Sequence, residues 1–124
     1  MSTETASRGL TIHTESMTSI HWLGVALATI TGVVHLWLAY AFMSETGPAI
    51  AFLIAAVGFF GGVAAVLLDY RRRLFYALGI PFTAGQIPLW YVANAPDFGA
   101  IGIADKVVQV VLIVVLVVLF RQES

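Results

Sequence analysis

Four apolar runs, each close to the length a helix needs to cross a bilayer, follow one another through this chain with only short polar breaks between them. They cover about residues 20–43, 48–68, 74–92 and 101–120. A hydrocarbon core ~30 Å thick takes about 20 residues of helix, so the runs predict an all-α bundle of four transmembrane helices. Composition agrees: 60% of the 124 residues are hydrophobic and 10% charged, against about a quarter charged in soluble domains. Little chain is left for a folded water-soluble domain.

The breaks have local causes. Ser44-Glu45-Thr46-Gly47-Pro48 joins turn formers to a proline suited to open a helix. Asp69-Tyr70-Arg71-Arg72-Arg73 is a tight charged turn, and Asn94-Ala95-Pro96-Asp97-Phe98-Gly99 has surface-loop chemistry. The fourth run needs the residues around Asp105 and Lys106 to reach across, because residues 107–120 alone extend only about 21 Å. Residues 1–19 form a polar Ser/Thr-rich segment without the basic region and cleavage site of a signal peptide, and are expected to be a mobile tail. Met17 stands as an alternative start to Met1, and residues 121–124 make a short tail at the other end.

Arginine and lysine favour the cytoplasmic side in short loops. Arg71, Arg72 and Arg73 therefore place the second loop inside and both termini in the cytoplasm, in agreement with Arg8 and Arg121, with Lys106 as a mild exception. Tryptophans and tyrosines lie mostly near run ends, where they read as interfacial anchors. A formal charge of −1 supplies no broad basic field for nucleic acid. Without cysteine there is no disulfide, thiolate zinc site or thiol chemistry, so a metal would have to use His, Asp or Glu.

Helices in lipid associate through close approach at small residues and through polar contacts. Gly24, Ala28 and Gly32 make a stripe on the first run; Ala55, Gly58, Gly62 and Ala65 make one on the second. His21, Ala28 and His35 are spaced by seven, so both histidines share the small-residue face. His35 and Gln86 lie about 12 Å below the outer end of their runs, and Gln109 reaches a similar level. Asp105 sits four residues from Gln109 on the same helix face. Depth and face together predict an outer-leaflet polar cluster of His35, Gln86, Asp105 and Gln109, with Thr31 and Thr83 as further candidates. These groups either hydrogen-bond one another as structural glue or line a functional pocket. Asp105 and Lys106 also fit as ordinary interfacial residues.

The third run holds Pro81 and Pro88, each of which removes a backbone hydrogen bond, so a kink is expected, with Thr83 and Gln86 free to serve the released carbonyls. Enzyme chemistry finds no support: there is no readable nucleophile beside a base, no HExxH, no phosphate-cradling glycine loop and no pair of intramembrane carboxylates. Haem would need a second histidine from another helix, and His13 lies in the polar tail. No cofactor is expected.

Three stretches, HWLGVALATITGVVHL, FFGGVAAVLLDYRRRLFYALGIPFTAGQIPLWYV and ADKVVQVVLIVVLVVLF, resemble a family of small four-span haloarchaeal membrane proteins of unknown function. The resemblance spans nearly the whole chain after residue 17, with GIPFTAGQ and Asp105-Lys106 its most distinctive parts. It implies a multi-pass archaeal cell-membrane protein and assigns no catalytic or binding residue. The expected role is that of an interaction or accessory protein in the bilayer, packing as a homo-oligomer or with larger membrane partners. The alternatives are a small-solute or ion transporter using the outer polar cluster, and, third, a haem- or quinone-binding redox subunit.

Overall fold

The computed structural model describes residues 14–123; most of the tail expected to be mobile lies outside them. The described chain is an all-α four-helix bundle: α1 (Ser19–Ala41), α2 (Thr46–Leu67), α3 (Arg72–Asn94) and α4 (Ala100–Gln122). Three helices, α1, α2 and α4, are long and apolar enough to cross a membrane. With 23 residues α3 is equally long, but the two arginines at its start, Gln86, Asn94 and its two prolines make it less apolar. It runs unbroken through both prolines. α1 packs along α2 and α4, and α3 along α4, while the seam between α2 and α3 is the thinnest in the bundle.

The bundle has two ends. At the arginine end, Thr18 and His21 start α1 with a reciprocal cap, in which His21 takes the position usually held by Glu or Gln. The Thr18 N–H donates to His21 Nδ1 at 3.1 Å. A neutral ring therefore carries its proton on Nε2, which faces the Glu123 carboxylate at 3.7 Å. In the α2–α3 turn, Asp69 and Arg71 adopt left-handed backbone, with φ of 52° and 48°. Arg72 then folds inward: its Nε donates to the Val66 carbonyl at 2.9 Å and its Nη1 to Ser16 Oγ at 2.8 Å. Arg71 and Arg73 stay exposed, Arg73 lying 4.2 Å above the Phe120 ring. One arginine of the triplet is thus structural glue for the turn.

The core has two apolar knots. Val66, Tyr76, Val115 and Leu119 form one near the arginine end, and Ala55, Phe59 and Leu112 form the other, with Ala28 packed against it. The stripe on α1 serves two neighbours. A Cβ on Gly24 would meet Val115 of α4 at 3.3 Å, and one on Gly32 would meet Phe60 of α2 at 3.0 Å. Ala55 and Ala65 are buried on α2. Gly58 lies under the Phe82 ring of α3, whereas Gly62 has open space above it.

Candidate functional site: a buried polar network

At the other end, the loop end, five buried polar side chains collect: Thr31, His35, Asp105, Lys106 and Gln109. Helical geometry puts Thr31 and His35 one turn apart on one face of α1, and Asp105 and Gln109 one turn apart on one face of α4. α3 adds Gln86, and α2 adds the Phe52 and Phe59 rings, whose centroids lie 6.2 Å and 5.7 Å from that of His35.

The polar groups are joined in a chain that crosses three helices. Gln86 donates to its own helix at the Phe82 carbonyl, 3.1 Å away. Its side-chain oxygen accepts from Gln109 Nε2 at 2.9 Å. The same amide donates to Thr31 Oγ1 at 3.2 Å, and the Thr31 hydroxyl donates onward to Asp105 Oδ1 at 2.7 Å. Lys106 Nζ closes the chain on Asp105 Oδ2 at 2.9 Å. His35 stands beside it: Nδ1 is 2.8 Å from the Thr31 carbonyl, which can only accept, so Nδ1 carries the proton. Its Nε2 then turns toward Asp105 Oδ2 at 4.0 Å. Both carboxylate oxygens already have donors, so the negative charge is held by a hydroxyl and an ammonium.

The four side chains that depth and helix face bring together in the sequence, His35, Gln86, Asp105 and Gln109, meet here, and Thr31 is their hinge. Thr83 does not join them. Its hydroxyl is buried without a hydrogen-bond partner, and Gln86 bonds the Phe82 carbonyl, neither of which matches the expectation that these two serve the carbonyls released by the prolines. Lys106 joins the network by a different route. One position from Asp105, it projects about 100° further round the helix, but its long stem bends the ammonium back to the carboxylate while the methylenes stay among apolar groups. Trp90 covers that turn, its ring 5.8 Å from Nζ and its indole against Gly102. One acceptor in the network, Gln109 Oε1, is buried and unpaired.

His21 and His35 are fourteen residues apart on α1, about 21 Å along the axis, and point to opposite ends of the bundle. They cannot ligate one iron together. Among the described residues, no group of three or more His, Asp or Glu is placed to hold a metal ion.

A four-helix bundle with three apolar helices of membrane length and a largely buried polar network between them has the character of a small helical membrane protein. More particularly, residues 5–120 match the model of the DUF7475 family of unknown function, and the chain belongs to that family. No curated protein and no solved structure matches the chain.

Proposed function

We propose that this protein is a four-span archaeal cell-membrane protein, with both termini cytoplasmic, that acts as an interaction or accessory subunit and catalyses no reaction. The pairing pattern in the buried network carries this reading. Its ionised groups neutralise one another within one chain and its side chains bind three helices together, which suits a clamp better than a transit path. A transporter would instead keep several polar groups available to its cargo, whereas here only Gln109 Oε1 and the unprotonated His35 Nε2 lack a donor. What the molecule offers its surroundings is apolar helix surface, including Gly61 and Gly85, exposed glycines with open space above them where a neighbouring helix can approach closely.

Native mass measurement of the full chain in mild detergent tests the reading. A homo-oligomer or a stoichiometric copurifying membrane protein is expected, reduced by Gly61→Leu or Gly85→Leu. A monomer alone under gentle solubilisation overturns it.

A further inference from the structure

Where α2 and α3 part, a cavity of about 330 Å³ opens between them, floored by α1 and α4. An engineered apolar cavity of ~150 Å³ suffices to bind benzene, and ligand pockets begin at about 300 Å³. Gly58 and Gly62 on α2 and Gly79 on α3 all line it; Gly58 is covered by the Phe82 ring and Gly79 by Leu116, whereas nothing lies within 4 Å of a Cβ built on Gly62. Phe59, Phe75 and Phe82 supply flat apolar surface in the wall.

Three residues in this wall carry a buried polar atom without a hydrogen-bond partner: His21, whose Nε2 still has the Glu123 carboxylate 3.7 Å away, and Tyr76 and Thr83, whose hydroxyls are out of keeping with an ordinary apolar core. Tyr76 and Thr83 are each 1% exposed, and both hydroxyls lack a hydrogen-bond partner. Buried hydroxyls are normally bonded, and a helical threonine has its own helix's carbonyls within reach. The two residues are seven apart on α3, so they share one face about 10 Å apart along the axis, and both line the same cavity. A hydrocarbon chain of a bilayer lipid would fill the space but leave both hydroxyls unbonded. A molecule with one terminal oxygen would serve only one of them.

We propose that this cavity is a binding site for a lipid-soluble ring carrying oxygen atoms on opposite edges, the chemistry of a quinone or quinol. The ring packs against the phenylalanine wall, and its oxygens bond the Tyr76 and Thr83 hydroxyls, which the wall covers in this structure and which turn toward the cavity to meet them. A carbonyl oxygen accepts from either hydroxyl and a quinol donates to either, so both oxidation states satisfy the pair. His21 borders the Tyr76 end of the cavity, with its Nε2–H directed to Glu123. This site is separate from the loop-end network and does not depend on the interaction reading, which rests on the outer helix surface.

The test uses the full chain in lipid nanodiscs, titrated with a short-tailed benzoquinone and, in parallel, with an alkylbenzene of similar size that lacks oxygen. Saturable quinone binding is expected, at least tenfold tighter than the alkylbenzene. Tyr76→Phe and Thr83→Val should each weaken it by about fivefold, as loss of one neutral hydrogen bond does, and Gly62→Leu should abolish it by filling the space. Circular dichroism establishes that each variant is folded. Absence of saturable binding by the wild type overturns the proposal. So does equal affinity for the alkylbenzene, which marks a slot for hydrocarbon only, and so does a dimer that excludes the quinone, which marks the cavity as a contact between copies.

Discussion

The two ends of the bundle treat buried polarity in opposite ways. At the loop end, Asp105, Lys106, Thr31, Gln109 and Gln86 bond one another across three helices. Toward the arginine end, Tyr76 and Thr83 line a cavity and their hydroxyls bond nothing. The difference follows the packing. α4 packs against both α1 and α3, so its side chains reach both at the loop end, whereas the seam between α2 and α3 is thin and the cavity opens along it. Polar groups between converged helices become clamps, and polar groups beside a gap remain available to a guest.

This contrast makes stability predictions that differ in sign as well as size. Asp105→Ala should have the largest effect, because it leaves the Lys106 ammonium buried without its carboxylate and takes the acceptor from Thr31. A loss of about 3 kcal/mol is expected, at the lower bound for breaking a buried pair, read as an early midpoint when the protein is titrated with denaturing detergent. Adding Lys106→Met to that variant should restore part of the loss, since the orphaned charge goes with it.

Gln109→Leu comes next. It removes the bond from α4 to Gln86 of α3 and one of the two from α4 to Thr31 of α1, and a loss of about 1 to 2 kcal/mol is expected in the same titration. A value near zero would show that the network adds little to helix association. Smallest of all are Tyr76→Phe and Thr83→Val in protein freed of bound lipid. Each removes a hydroxyl that has no partner, so stability should stay within about 0.5 kcal/mol of wild type or rise slightly. Destabilisation equal to that of Gln109→Leu would erase the distinction between clamp and cavity.

Local signals carried much of the fold. Hydropathy and turn chemistry act over a few residues, so the helix breaks at Ser44-Glu45-Thr46, at Asp69-Tyr70-Arg71 and at Asn94-Ala95-Pro96 are readable from the chain. Depth was readable too, because helix rise is constant: counting residues brings His35, Gln86 and Gln109 to one level. Direction was harder. Arg72 reads as a loop cation by its neighbours, yet it is buried on the Val66 carbonyl, since the left-handed turn points it inward. Lys106 reads as an interfacial charge, yet its stem returns it to Asp105.

The sequence by itself determined that the chain is helical, where each helix stops, and which polar residues share a level, because rise per residue and side-chain hydrophobicity are properties of short segments. Only the tertiary structure decided that Thr31 joins two glutamines to a carboxylate, that Gly24 faces α4 while Gly32 faces α2, and that α2 and α3 part beside Tyr76 and Thr83. Those outcomes depend on how far apart neighbouring helices lie and how each is rotated about its axis. Both are set by side chains packing across the bundle, at contacts far apart in the chain.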